Sequence, residues 1–296
     1  MELEQAARIL PPELRRSVLN LEDEAKKQVE EIRLRVGQPV SITIHGEEQP
    51  LSTVEITTGD LERLLELASG SSVHTVLESL RRGYLTIEGG HRVGLCGTAV
   101  THGGEIAGLR GYSSANIRIA RSIPDVSGNL LGSLCEQNGL RSTLIIAPPG
   151  LGKTTLLRDL VRSVSDGIGC HAMRVSLVDE RGEVAALRGG RPQLPVGKRT
   201  DVIEGCPKAE GLILLLRAMN PQVMAVDEIT APEDIKALRQ AVGCGVVLLA
   251  TAHGESRRDL ERRPLYRELL EQRLFERLVT IRRTGDARNY AVEEMR

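Results

Sequence analysis

The first part of the chain, to about residue 125, combines two spacings of apolar side chains. Apolar residues recur at helical intervals over residues 2–30, again from Asp60 to about Ala68, and again from Val73 to Arg82. Apolar and polar positions instead alternate in the segments EEIRLRVGQPVSITIHG, GYLTIEGGHRVGLCGTAV and SANIRIAR, which is typical of strands. This part of the sequence therefore predicts a mixed α+β domain.

Beyond residue 126 the pattern changes to short apolar strands that alternate with helices. The predicted strands are TLIIA, MRVSLVD, VMAVDE and VVLLATAH, and predicted helices begin at Lys153, near Ala209 and at Pro232. Such alternation favours parallel strands joined by crossover helices on both faces of a sheet. The segment SIPDVSG separates the two patterns, so we predict domains at residues 1–125 and 126–296.

Two further segments belong to this second part. Residues 188–201, RGGRPQLPVGKRTD, concentrate Arg, Gly and Pro. They predict a flexible loop, either a plain surface loop or one that faces a neighbouring subunit through Arg199. After a last helix from Pro264, the segment FERLVTIRRTGDARNYAVEEM predicts a hairpin that turns at Gly285-Asp286.

The composition is that of an ordinary globular protein with an aliphatic core. Of the 296 residues, 41% are hydrophobic, 27% are charged and only 2% are aromatic. The net charge of -1 gives no general attraction to nucleic acid or anionic lipid, and the scarce aromatics disfavour base stacking. We therefore expect no nucleic-acid partner.

Cysteine spacing and hydropathy favour a cytosolic location. The five cysteines lie far apart and form no CxxC pair, which argues against a disulfide framework or a zinc site. No apolar run approaches the roughly 20 residues of a membrane span, and the start MELEQAARIL lacks a signal-peptide pattern. The expected location is a reducing cytosol.

The segment IIAPPGLGKTT, residues 145–155, carries the strongest chemical signal. It follows the strand TLIIA and opens a helix, as a P-loop does, although Ala147 stands where the pattern has its first glycine. Backbone N–H groups and the helix N-terminus favour a bound phosphate there. The predicted nucleotide-binding residues are Pro149, Gly150, Leu151, Gly152, Lys153, Thr154 and Thr155. Lys153 is expected to reach the β- and γ-phosphates, and the Thr154 hydroxyl to coordinate Mg²⁺.

A pair of carboxylates ends the strand VMAVDE. Asp227 is expected to hold Mg²⁺ through water, and Glu228 to polarise the attacking water. The segment SLVDERGE places Glu180 and Glu183 at another strand tip, where a carboxylate can also activate water. The general base therefore stays open among Glu228, Glu180 and Glu183.

Two polar side chains, Thr251 and His253, end the strand in VVLLATAHG. We expect both to sense the γ-phosphate, because strand tips at one edge of such a sheet converge on the ligand.

The same residues favour ATP hydrolysis over other phosphate chemistry. The sequence has no NKxD-type motif for guanine, so ATP is the expected nucleotide. A glutamate beside the metal-binding aspartate suits water activation, which a kinase must avoid.

Together these motifs resemble the stage III sporulation protein AA family, which is similar to the RecA-like ATPases of type II and type IV secretion. The segments that carry the resemblance span nearly the whole chain: EEIRLRVGQPVSI, GYLTIEGGHRVGLCGTAV, SSANIRIAR, the P-loop, SLVDERGE, KRTDVIEGCPKAEG, LRAMNPQVMAVDEI and ATAHG. The resemblance implies an α/β fold: a RecA-like P-loop NTPase domain with a mainly parallel sheet, preceded by a smaller α+β N-terminal domain. It also implies ATP and Mg²⁺ as cofactors.

The resemblance further implies a motor that energises a channel between mother cell and forespore during endospore formation. Its implied partners are copies of itself in a homo-oligomeric ring, a hexamer, and the membrane channel proteins of the sporulation stage III complex. The protein would stay in the mother-cell cytoplasm, peripheral to the membrane. SLVDERGE then corresponds to the acidic box of the secretion ATPases, and His253 to their histidine box.

Ring ATPases of this kind take arginines from a neighbouring subunit, largely from the domain before the P-loop. Arg92, Arg118 and Arg121 occupy comparable places, and strand alternation turns Arg118 away from Ile117 and Ile119. A plain solvated strand face is the alternative for these arginines. Two other functions also remain open: a RecA-type ATPase that depends on nucleic acid, and a nucleotide-gated scaffold that hydrolyses little ATP.

Overall fold

A computed structural model describes residues 2–70, 83–136, 139–285 and 287–295. The helix predicted from Val73 to Arg82 and the hairpin residue Asp286 lie outside the described residues. Within the described residues, no helix has both the length and the apolar character needed to span a bilayer.

The chain contains helices and strands throughout its length. The described α-helices are α1 Glu2–Ala6, α2 Pro12–Leu19, α3 Asp23–Gln28, α4 Thr58–Ser69, α5 Gly128–Leu134, α6 Lys153–Asp166, α7 Lys208–Ala218, α8 Pro232–Gly243, α9 Arg257–Arg262 and α10 Pro264–Glu271. The described strands are β1 Val29–Arg35, β2 Pro39–Ile44, β3 Glu47–Glu55, β4 Tyr84–Thr86, β5 Arg92–His102, β6 Glu105–Arg118, β7 Cys135–Glu136, β8 Gly139–Leu140, β9 Thr143–Ala147, β10 Val175–Asp179, β11 Leu187–Arg188, β12 Arg191–Pro192, β13 Thr200–Glu204, β14 Val223–Val226, β15 Val247–His253, β16 Arg277–Thr284 and β17 Ala287–Glu294.

The chain forms two compact units. The first comprises Met1–Arg121 and Leu187–Gln193, and the second comprises Ser122–Ala186 and Leu194–Arg296. The domain limits proposed from the sequence, 1–125 and 126–296, stay a prediction.

The first unit is built on an antiparallel six-stranded sheet. Its strand order is β3-β2-β1-β6-β5-β4. The apolar positions of the alternating segments, among them Ile32, Leu34, Val93 and Ile117, are buried in one core with residues of α1, α2 and α4. The edge strand β3 was not predicted, because its sequence EEQPLSTVE is mostly polar and exposed, as edge strands often are.

The second unit is built on a seven-stranded sheet of order β13-β10-β14-β15-β9-β16-β17. All of its pairings are parallel except β16 with β17, which form the predicted C-terminal hairpin. Alternate residues of each central strand point to opposite faces: Ile145 of β9 packs in the core that contains α6, and Ile146 in the core that contains α7 and α8. The parallel α/β architecture expected from the sequence is therefore present, with helices on both faces.

The prediction of a loop over residues 188–201 was wrong in part. Residues 187–192 form the hairpin β11–β12, in which Gly189 and Gly190 both have positive φ, 56° and 74°. That conformation suits a Gly-Gly hairpin turn. The strand β13 begins at Thr200 and pairs in parallel with β10 at the sheet edge, although its sequence TDVIE has only two apolar residues.

Candidate nucleotide site

The loop between β9 and α6 has the backbone of an anion cradle. Gly150 and Gly152 adopt the left-handed region, with φ of 78° and 94°, which residues with a β-carbon rarely enter. Ala147, which replaces the usual first glycine, is fully buried in the core beneath the loop. In the described part of the chain, the backbone N–H groups of Gly152, Lys153 and Thr154 donate to no acceptor. These are the orphan donors of a helix N-terminus, where a phosphate binds favourably.

Lys153 lies buried under this loop with its ammonium group held by oxygen and nitrogen acceptors. Its Nζ is 2.9 Å from the carbonyl oxygen of Ala147, 3.2 Å from that of Pro148 and 3.0 Å from Nδ1 of His253. Burial lowers the pKa of Lys153, and the nearby carboxylates of Asp227 and Glu228 partly oppose that shift. A partly desolvated ammonium group at this position favours binding of a phosphate anion to the loop.

Asp227 follows β14 directly and lies opposite the first turn of α6. The Thr154 hydroxyl donates to its Oδ2 over 2.8 Å, and the Thr251 hydroxyl donates to its Oδ1 over 2.6 Å. Burial raises the pKa of Asp227; the two hydroxyl groups oppose the shift, whereas the charges of Glu183 and Asp179 add to it. Burial, together with the charges of Glu183 and Asp179, therefore destabilises the ionised form of this carboxylate.

These residues fit a magnesium ion. Mg²⁺ prefers oxygen ligands and is usually bound by one or two protein groups together with substrate phosphates. Thr154 and Asp227 present a hydroxyl and a carboxylate in direct contact beside the orphan N–H groups of the loop. A divalent cation would also stabilise the ionised form of Asp227, which burial and the charges of Glu183 and Asp179 disfavour.

Glu228 is held in an unusual backbone conformation. Its φ is 59°, and its N–H donates to the Thr251 hydroxyl over 2.7 Å. One carboxylate oxygen lies 2.9 Å from Nε2 of His253. An ammonium group can only donate, so Lys153 donates to Nδ1 of His253, and Nε2 faces the Glu228 carboxylate. Lys153, His253 and Glu228 thus form one continuous chain of polar contacts.

The acidic residues at the end of the neighbouring strand β10 have different partners. Asp179 accepts hydrogen bonds from four successive backbone N–H groups, those of residues 183–186. Glu180 forms an ion pair of 2.6 Å with Lys208, whose side chain is almost fully buried. Glu183 is half-buried and close enough to Asp227 for its charge to raise the pKa of that carboxyl.

Arg158 is a component of this region that the sequence reasoning missed. It projects from α6 and donates to the carbonyl oxygens of Val184, over 2.7 Å, and Glu183, over 2.6 Å. Burial lowers its pKa, while Asp179, Asp227 and Glu183 oppose the shift. The available signal was a charged pair, Arg158-Asp159, within the otherwise apolar run from Leu156 to Val161 of a predicted helix.

The three arginines proposed to act between subunits lie in the first unit. Arg92 lies over the Tyr84 ring at 4.3 Å from its centroid, and Arg121 donates to the carbonyl oxygen of Val29 over 2.7 Å. Arg118 is exposed, 3.9 Å from a Glu31 carboxylate oxygen, while its neighbours Ile117 and Ile119 are buried. The strand alternation expected for Arg118 is present, and a role of these arginines toward nucleotide stays a prediction.

Arg199 is held within the second unit. Its N–H donates to the Ser165 hydroxyl over 2.7 Å, and its guanidinium donates to the Ser165 carbonyl oxygen over 3.0 Å. These contacts tie the segment before β13 to the end of α6.

Comparison with known proteins places these features in a family. The family described as "Sporulation stage III, protein AA" matches residues 2–291. Stage III sporulation protein AA of Bacillus subtilis (strain 168) is 42% identical over 282 residues, which cover 95% of this chain and 91% of that protein.

Solved structures with the same fold include a pilus motor and an ATPase. The pilus retraction motor PilT, solved with bound ADP, has a TM-score of 0.59 at 17% identity, covering 91% of this chain and 80% of PilT. The ATPase DotB of Legionella pneumophila has a TM-score of 0.57 at 15% identity, covering 95% of this chain and 80% of DotB. At sequence identities of 15–17% the similarity shows a shared fold and nothing more.

Proposed function

The chain belongs to the sporulation stage III protein AA family, and on this premise we propose that it is a magnesium-dependent ATPase that drives a membrane assembly during sporulation. One observation carries the ATPase proposal: the P-loop residues Lys153 and Thr154 contact, respectively, His253 and Asp227 at the tips of two neighbouring parallel strands. These groups therefore meet around one volume at the carboxyl edge of the sheet, where α/β proteins bind their ligands.

Each residue has a defined task in the proposed reaction. The loop N–H groups and Lys153 bind the phosphates, and Thr154 and Asp227 hold Mg²⁺. A bound Mg²⁺ neutralises charge that develops on the phosphate oxygens.

Glu228 is the proposed general base. It accepts a proton from the attacking water while the water oxygen bonds to the γ-phosphorus and the bond to the ADP oxygen breaks. His253 orients the Glu228 carboxylate through the contact of 2.9 Å and connects it to Lys153. Glu183 is the alternative base. Glu180 is disfavoured because Lys208 already holds its carboxylate.

The finer parts of the proposal concern assembly and location. We propose a homo-oligomeric ring, a hexamer, in which Arg92, Arg118 and Arg121 act on a neighbouring subunit's nucleotide, at the cytoplasmic face of a channel between mother cell and forespore. Support comes from membership of a sporulation family and from a fold shared with a pilus retraction motor.

Steady-state ATP hydrolysis by the purified chain tests the ATPase. We expect turnover with Mg²⁺ that is lost with EDTA and lost in Lys153→Ala, whose retained fold is checked by circular dichroism. Turnover per chain should rise with protein concentration as rings form, and Arg118→Ala should weaken that rise. Turnover that needs added oligonucleotide would favour a nucleic-acid-dependent ATPase. ATP binding with equal, near-zero turnover in wild type and Glu228→Gln would favour a nucleotide-gated scaffold.

A further inference from the structure

Arg288, on the C-terminal hairpin, lies directly against the phosphate loop. A β-carbon built on Gly152 would be 3.2 Å from Nη1 and 3.3 Å from Cζ of Arg288. The guanidinium group therefore covers the Gly152 backbone from the side of β17. None of the P-loop, acidic-tip or histidine motifs includes this arginine.

The pairing of the hairpin explains why Arg288 reaches the loop. Ile281 of β16 pairs with Tyr290 of β17, and both pack in the core that contains α6. Side chains two residues away along a strand point to the same face. Arg288 therefore lies on the α6 face, at the end where α6 begins.

The position is electrostatically unfavourable for a cation without an anion. The N-terminus of α6 carries partial positive charge, and Arg283 lies directly opposite Arg288 in the pairing of β16 with β17. In the described part of the chain, Arg288 makes no hydrogen bond or ion pair, and its side chain is exposed. A bound anion at the loop would bring negative charge to Arg288 and to the N-terminus of α6.

The sheet order indicates which part of a nucleotide meets Arg288. The strand β9 has β15 and β14 on one side and β16 and β17 on the other. The Thr154–Asp227 and Glu228–His253 contacts lie on the β14–β15 side, so the reacting γ-phosphate belongs there. The rest of the nucleotide then leaves the loop toward β16 and β17.

We propose that Arg288 binds the α-phosphate of the nucleotide held by its own chain and so forms the nucleoside-side wall of the site. This inference rests on the proposed function, because it assumes that the loop binds a nucleoside triphosphate. Since the α-phosphate is present before and after hydrolysis, Arg288 contributes equally to ATP and ADP binding and does not accelerate the chemical step.

The matched variants are Arg288→Ala and Arg282→Ala. Arg282 is an exposed arginine on the same hairpin, and its place in β16 puts it on the opposite face from Ile281 and Arg283. Both variants lose one positive charge from the hairpin, but only Arg288→Ala loses the group against Gly152.

Calorimetric titration of the full chain with MgATP-γ-S and with MgADP, together with steady-state kinetics, provides the test. Arg288→Ala should raise both dissociation constants and KM by about tenfold, since hydrogen bonds to charged groups are among the stronger ones. Its kcat should stay at the wild-type value. Arg288→Lys should fall between, and Arg282→Ala should bind like wild type.

Three outcomes overturn the inference. Equal affinities in Arg288→Ala and Arg282→Ala, with a wild type that binds both nucleotides, would overturn it while the ATPase proposal stands. A loss confined to the triphosphate, or a fall in kcat, would place Arg288 at the γ-phosphate instead. A wild-type chain that binds neither nucleotide would remove the proposed function itself.

Discussion

The same tripeptide, Val-Asp-Glu, lies at the carboxyl ends of two neighbouring strands of the second unit. The carboxylates of the two tripeptides nevertheless have different surroundings. Val178-Asp179-Glu180 lies at the end of β10, and Val226-Asp227-Glu228 lies at the end of β14. The strands are parallel and Val178 pairs with Val226, so both tripeptides leave the sheet side by side at one edge. Any difference between them comes from what each one meets beyond the sheet.

The β10 tip is satisfied by its own loop and a neighbouring helix. Asp179 accepts four backbone N–H groups, and Glu180 pairs with Lys208 of α7. The β14 tip meets the P-loop and β15 instead. The Asp227 carboxylate accepts from the hydroxyls of Thr154 and Thr251, and Glu228 contacts His253.

The difference favours a structural task for Asp179 and leaves Asp227 as the candidate metal ligand. Asp179 accepts one backbone N–H at Oδ1 and three at Oδ2, all from the turn that follows it. Asp227 is half-buried and its pKa is raised, so it gains more from a bound cation than Asp179 does. Identical residues at identical places in a sheet can therefore have unrelated tasks.

The largest expected contrast is in the activity of the two aspartate variants. Asp227→Asn removes the carboxylate that we propose as the metal ligand and should lower kcat for ATP hydrolysis roughly a thousandfold, the upper range for loss of one electrostatic contact. Asp179→Asn, assayed at a temperature where it remains folded, should lose far less. Comparable losses in both variants would contradict the assignment of separate tasks.

The glutamates provide the second contrast. Glu228→Gln should lower kcat by roughly 10²–10³, because general-base catalysis contributes on that order. Glu180→Gln should stay within about threefold of wild type, since its carboxylate serves an ion pair. Single-turnover hydrolysis with Mg²⁺ measures both. If Glu183→Gln shows the large loss instead, the base is Glu183.

For stability, we expect the larger loss in the Asp179 variant, whereas for activity we expect it in the Asp227 variant. Asp179→Asn replaces an acceptor oxygen with an NH₂ group that faces backbone donors, and should lower the free energy of unfolding by roughly 2–3 kcal/mol. Asp227→Asn relieves a buried charge and should be neutral or stabilising. Urea unfolding followed by circular dichroism measures both. A strongly destabilised Asp227→Asn would show that this carboxylate is structural too.

The smallest expected effect is the pH dependence of the difference in unfolding free energy between Asp227→Asn and the wild type. Because burial raises the pKa of Asp227 above its ordinary value of 3.8, the folded chain retains a proton that the unfolded chain releases. The wild type therefore loses stability as pH rises from 3.8 through the raised value. The advantage of Asp227→Asn should grow over that window and level off above it. An advantage that is the same at every pH would contradict the shift.

Much of the fold could be predicted from the sequence because the signals are local. Apolar strands such as TLIIA and VMAVDE, followed by helices, indicate a parallel sheet by themselves. The strands β3 and β13 were missed because they lie at sheet edges and carry few apolar residues. Their pairing partners, rather than their own composition, make them strands.

Some features of the candidate site could likewise be predicted from the sequence, and others could not. The glycines of the P-loop and the order strand, loop, helix determine the cradle locally, and Gly150 and Gly152 have the left-handed backbone that the motif needs. The sequence pointed to Asp227 as the metal ligand, but it left the general base open among three glutamates and did not mark Arg158 or Arg288. These roles depend on residues far away in sequence.

The sequence by itself determined the phosphate cradle, the parallel α/β class and the candidate carboxylates, because short-range sterics and side-chain periodicity encode them. Only the tertiary structure decided which side chains each acidic tip contacts. The strand order places β15 and β14 beside β9 and puts β10 one strand further away. A carboxylate takes its chemistry from the donors and charges that surround it, and packing brings those together.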